Sequence, residues 1–147
     1  MGKLLVSCAK AGVAYAVTVF AIGIVLGAAR ILLLAPRVGR ATAVSIEVPV
    51  ILTASWNVSR LWMLRLAVDD AMRTRMLVGA LAFGTLMVLE VSLSVGLFHR
   101  SIGEYLAELR SPAGAIGLAA QCCFAAFPLL DAVVRRRLEL KPAARSS

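Results

Sequence analysis

Four polar side chains interrupt long apolar stretches of this 147-residue chain: Arg30, Glu47, Glu90 and Gln121. An isolated charge in hydrocarbon costs at least ~2.5–3.5 kcal/mol on insertion scales. Such groups therefore face one another, a backbone carbonyl or a wet cavity. Counted inward from a common surface of the apolar blocks, all four fall roughly 6–14 Å deep at 1.5 Å per helical residue. The spacing predicts that Arg30 pairs with Glu47 across the first hairpin, with Glu90 close by. One reading makes the pair a device that fixes helix register, with Glu90 bonded to a backbone group or to Gln121. The other starts from a carboxylate desolvated beside a second carboxylate, whose pKa rises. Such a group binds and releases a proton, or takes part in cation or substrate binding. Pro49 adds an acceptor here, because it cannot donate to the carbonyl of Ser45 beside Glu47.

Other chemistry is sparse. The three cysteines are Cys8, Cys122 and Cys123. The adjacent pair points about 100° apart on a helix, which strains a disulfide. No Cys-x-x-Cys or Cys/His spacing suits zinc. The single histidine, His99, reads as an interfacial anchor beside Arg100. Ser, Cys and His form no arrangement suited to nucleophilic catalysis, and no Gly-rich phosphate loop is present. The expectation is a protein that is not an enzyme and needs no cofactor or metal.

The elements that must position the polar groups are apolar blocks of membrane-crossing length. Apolar residues make up 61% of the chain, against about 45–50% in soluble domains. They gather into four blocks of about 20 residues or more, the length that crosses a bilayer. The blocks run about 11–34, 41–64, 76–98 and 112–134, in one domain spanning 1–147. Gly23 and Gly27 in the first block form a Gly-x-x-x-Gly face that admits a close helix neighbour. A cleaved signal peptide fits that block poorly, since its apolar run outlasts an ordinary h-region. Pro36 and Gly39 break the pattern before the second block. That block carries Pro49, Trp56 and Trp62, and Trp62 suits an interfacial aromatic belt. Beyond it, Asp69 and Arg73 are spaced to pair on a helix surface.

Between the third and fourth blocks, Ile102, Tyr105, Leu106 and Leu109 mark one apolar helical face. Ser101 and Glu104 form a capping-box pattern before it. This segment predicts a short amphipathic helix on the membrane surface. Ser111 and Pro112 open the fourth block as N-cap and first helical residue. Pro128 is expected to kink that helix. Arg135, Arg136, Arg137, Lys141 and Arg145 then form a basic tail over 135–147.

The fold expectation is all-α: an integral membrane bundle of four helices, up-down-up-down. Four spans place eleven Lys and Arg on the side of the termini and five on the other. The positive-inside rule then makes both termini cytoplasmic. The net charge of +8 flanks the apolar blocks and is not interleaved with stacking rings, which argues against nucleic acid. The tail is expected to touch anionic lipid head groups.

Leu26-Gly27-Ala28-Ala29-Arg30, leading through Pro36, Gly39, Glu47 and Pro49, has a familiar pattern. So does Ser101-Ile102-Gly103-Glu104-Tyr105-Leu106-Ala107, followed by Pro112, Gly114 and Phe127-Pro128. Together they resemble a family of small uncharacterised four-helix bacterial inner-membrane proteins with no established activity. The resemblance covers most of the chain. It implies the four-helix fold and the importance of Arg30, Glu47 and Pro49, and it supplies no substrate.

Two function classes follow. One is an accessory or scaffold subunit of a membrane complex, using small faces such as Gly23/Gly27, Ala80/Gly84 and Ala113/Gly117 for helix contacts. The other is a proton- or cation-coupled small transporter or channel that forms a homo-oligomer, because four helices enclose little lumen. Small four-helix drug exporters carry their key Glu in the first helix, where this chain offers only Arg30.

Overall fold

Helices build the whole of the computed structural model, which describes residues 2–143 and contains no strand among them. The elements are α1 (Gly2–Ala29), a π turn (Arg30–Leu34), α2 (Ala35–Val38), α3 (Arg40–Arg65), α4 (Met72–Gly96), α5 (Ile102–Leu109) and α6 (Pro112–Ala143). Four helical stretches are long and apolar enough to cross a membrane: Leu4–Val38, Arg40–Arg65, Met72–Gly96 and Pro112–Leu138.

Helix bounds outrun the apolar blocks at both chain ends. α1 begins at Gly2, not near residue 11, and Arg135–Arg137 lie within α6, not in a tail beyond it. A run of polar residues ends an apolar span, but Lys, Arg, Leu and Glu all favour helix. Backbone hydrogen bonding therefore continues past the hydropathy edge. The tail's last residues, Arg145 among them, lie outside the described residues.

Two turns have identifiable causes. Pro36 cannot donate to the carbonyl one turn back. The chain widens there, with the Ala35 N–H donating to the Arg30 carbonyl five residues earlier. Gly39 then takes φ +81, a conformation open to glycine, and resets the direction of the chain for α3. At the other end of α3, a Schellman motif closes the helix. Val68 N donates to Met63 O and Ala67 N to Leu64 O. Val68 and Met63 bury together beneath it. The left-handed position is filled by Ala67, at φ 45.

The long helices form a ring. α1 packs on α3 and α4, and α6 packs on the same two helices. α3 and α4 are consecutive in the chain yet sit diagonally, so their connection crosses one end of the bundle. Close approach occurs at Gly12 and Gly79. A Cβ on Gly12 would meet Leu81 Cβ at 3.0 Å, and one on Gly79 would meet the Ala125 carbonyl oxygen at 2.1 Å. Gly23 has open space around it, and the nearest atom to a Cβ on Gly27 is Nη2 of Arg30 on the same helix, at 3.9 Å. The expected packing face on the first helix is thus displaced toward its N-terminal half, and Gly27 instead leaves room for a guanidinium.

The distribution of polarity is inverted relative to a water-soluble bundle. Leu32 is 73% exposed, Val25 68% and Val88 65%, whereas Ser55, Ser59, Arg75 and Asp131 are at most 2% exposed. Two small apolar clusters fill the interior. One gathers Tyr15, Val19, Leu86 and Phe124, and the other Cys8, Met63, Val68 and Val78.

Candidate functional site

The four polar residues singled out in the sequence fall into two separate pairings. In the first, the π turn at the end of α1 carries Arg30 toward α3, where Nε stands 2.5 Å from Glu47 Oε2. Both side chains are largely covered. The Nε–H is not aimed at the oxygen and counts as unpartnered. The pair is an ion contact, not a charge-assisted hydrogen bond. α3 runs unbroken through Pro49. The Thr53 hydroxyl donates to the Pro49 carbonyl at 2.8 Å.

The second pairing joins α4, α5 and α6. Gln121 Nε2 lies 2.7 Å from each oxygen of Glu90. The Tyr105 hydroxyl reaches the same carboxylate at 3.4 Å from α5. Gln121 Oε1 is buried and has no partner. Helix α5 is held over this pair by its own ends. A capping box fixes its start, with Ser101 Oγ accepting from Glu104 N and the Glu104 carboxylate accepting from Ser101 N. Those bonds hold the Glu104 carboxyl below its usual range. Burial, and then the negative charge of Glu90, push the Tyr105 phenol upward. At the far end Glu108 forms an ion pair with Arg40 at the start of α3. A Cβ on Gly114 would meet the Glu108 carbonyl oxygen at 2.0 Å, so the corner into α6 requires glycine.

Two further features escape sequence reasoning. The first lies in the core. Pro128 is fully buried within α6 and leaves the Phe124 carbonyl without its helical donor. The Tyr15 hydroxyl, across the ring on α1, donates to that carbonyl at 3.0 Å, and the two rings stack at 4.3 Å. A proline in an apolar block signals an orphan carbonyl, but nothing in the sequence names its partner.

The second lies where the α3–α4 connection crosses the bundle. Asp131, 2% exposed, faces three arginines from three helices. Arg135 Nε donates to Oδ2 at 2.9 Å. Arg60 Nε lies 3.3 Å from Oδ1, and Arg75 Nη1 lies 3.7 Å from Oδ2. Arg75 is itself 2% exposed. It donates to the Asp69 and Val68 carbonyls at 3.1 and 3.2 Å and pairs with Asp70. The expected Asp69–Arg73 helical pair does not form, because Asp69 precedes α4 and its carboxylate accepts from Ala71 N at 3.3 Å. The visible signal was the i, i+4 spacing of Asp131 and Arg135.

Among the described residues no group of three or more His, Cys, Asp or Glu could hold a metal ion. Cys8 is buried and free; Cys122 and Cys123 are exposed and free. Trp62 turns inward, donating to Thr18 Oγ1 at 3.1 Å. No family model matches the chain, and neither a curated protein nor a solved structure is detectably similar to it, so the family resemblance rests on its motif residues alone.

Proposed function

We propose that this chain is an accessory or scaffold subunit of a complex in the bacterial inner membrane. In this reading the four apolar helices cross the bilayer up-down-up-down, both termini are cytoplasmic, and α5 lies on the opposite surface. One observation carries it: the interior acids are occupied by partners within the bundle, while open apolar grooves face outward along α4. One groove is lined by Ala80, Leu81, Gly84, Thr85, Val88 and Leu89. The other runs from Ala80 and Phe83 to Cys122 and Ala126. Small residues at Ala80 and Gly84 suit a membrane helix of a partner protein, packed on backbone rather than on side chains. The reading assigns no catalytic chemistry, cofactor, metal or nucleic acid. Native mass spectrometry of the gently extracted particle tests it. A foreign subunit should co-purify and be lost on Gly84→Leu, with the helical circular dichroism unchanged. Retention of that subunit by Gly84→Leu would remove the groove from the reading.

A second reading, a homo-oligomeric proton- or cation-coupled transporter, is favoured by the unpartnered Gln121 Oε1 beside Glu90. It requires that Glu90→Gln and Glu47→Gln abolish ion flux in proteoliposomes while leaving the bundle folded. Unchanged flux would eliminate it.

A further inference from the structure

We infer that the arginine cluster around Asp131 is a binding site for a phosphate group, supplied by the head group of an anionic lipid or by free phosphate. The lipid source rests on the proposed crossing of the bilayer by the four helices. The cluster draws on α3, α4, α6 and the α3–α4 connection. Arg60, Arg75 and Arg135 meet the carboxylates of Asp70 and Asp131, and Arg136 donates to the Asp70 backbone carbonyl at 3.1 Å. Three guanidinium groups against two carboxylates leave the ion-paired cluster with one positive charge in excess, and Arg136 beside it adds another.

Hydrogen-bond accounting points the same way. Arg75 uses Nε and Nη2 on backbone and Asp70, but its buried Nη1 has no hydrogen-bond partner. The Asp131 oxygen nearest to it, 3.7 Å away, is already bonded to Arg135. Arg60 touches Asp131 through Nε alone and is half-exposed. Its terminal N–H groups therefore remain available. Side-chain exposure rises from 3% at Arg75 through 28% at Arg135 to 50% at Arg60. The free donors thus lead from a buried guanidinium out to the surface. A phosphate group supplies the missing acceptors and the missing charge together, and guanidinium forks match its oxygens two at a time. The position also fits: these residues end the apolar spans of α3 and α6 and begin that of α4, the level at which lipid phosphates lie.

The test uses the full chain in nanodiscs of phosphatidylcholine and phosphatidylglycerol at equal abundance, delipidated stepwise and read by native mass spectrometry. Vesicle flotation, run first, reports membrane insertion separately. Retention of phosphatidylglycerol over phosphatidylcholine is expected, falling about fivefold for each of Arg60→Gln and Arg135→Gln, at roughly 1 kcal/mol per basic contact. Arg37→Gln, an exposed arginine outside the cluster, should change nothing. A second arm titrates inorganic phosphate in phosphate-free detergent. Thermal protection that is lost in Arg60→Gln assigns the site to free phosphate, and protection absent alongside lipid selectivity assigns it to lipid. Equal retention of the two lipids together with no phosphate protection overturns the inference. So does an equal loss in Arg37→Gln, which would reduce the effect to net charge. A chain that fails to float defeats the membrane reading and leaves the phosphate arm to decide the site.

Discussion

Tyr15→Phe should destabilise the bundle only as long as Pro128 is present. The Tyr15 hydroxyl donates to a carbonyl that Pro128 has deprived of its helical donor, and it does so in an interior where Tyr15 is 0% exposed. Removing the hydroxyl strands the Phe124 carbonyl, and a buried acceptor left unmet costs ~1–3 kcal/mol. Polar contacts between membrane helices measure lower, averaging about 0.6 and reaching about 1.7 kcal/mol. The expected loss is therefore about 1–1.5 kcal/mol. Pro128→Ala restores an N–H at position 128, which can bond Phe124 within α6. In that background Tyr15→Phe should cost under ~0.5 kcal/mol, giving a coupling near 1 kcal/mol, above the ~0.3–0.5 kcal/mol scatter of additive sites. The ring stack at 4.3 Å survives in both tyrosine variants, so packing cancels around the cycle. Reversible unfolding in mixed micelles, followed by the fluorescence of Trp56 and Trp62, measures all four corners. Equal losses in the two backgrounds would refute the argument.

Ala67→Gly should stabilise the chain by about 1 kcal/mol, since an L residue pays roughly that much at a left-handed position; the midpoint of the same titration checks it. Asp131→Asn should destabilise by about 3 kcal/mol, because it leaves the buried Arg75 without its interior counter-charge. A thermal melt within 1 kcal/mol of the parent would show that Arg75 is neutralised elsewhere. Acidification should loosen α5 first. The Glu104 carboxyl sits below its usual value because Ser101 donates to its ionised form. The capping box is thus fully present above the usual carboxylate range and is lost as pH falls through the lowered folded value. Protection of the amides of residues 102–106, measured against their intrinsic exchange rates at each pH, should fall on acidification through the carboxylate range, and Glu104→Gln should abolish that dependence.

Hydropathy made the four long helices legible because a span of about 20 apolar residues has few other uses. The capping residues Ser101 and Glu104 were equally legible, since their signal is local: a side chain bonded to backbone three residues away. Depth counting was coarser. It put Arg30, Glu47, Glu90 and Gln121 at one level, and two pairings share that level without merging. Depth along a helix follows from residue count, but which helices adjoin does not. The ring order places α3 and α4 on a diagonal, and a count taken along the chain has no access to that.

The diagonal also accounts for the charged cluster around Asp131. A connection that crosses the end of the ring, rather than joining neighbours, brings its own carbonyls over the bundle interior. Val68 and Asp69 turn theirs toward Arg75, which can meet both only by placing its guanidinium in the interior. A guanidinium there needs a counter-charge, and Asp131 supplies it from the neighbouring helix α6. Arg60 and Arg135 then gather on Asp131 because its carboxylate has two oxygens and Arg75 sits too far from either for a hydrogen bond. Each charge in the cluster is thus a consequence of helix order. The excess of positive charge accumulates at the end where the chain crosses, the same end at which the proposed phosphate site must lie.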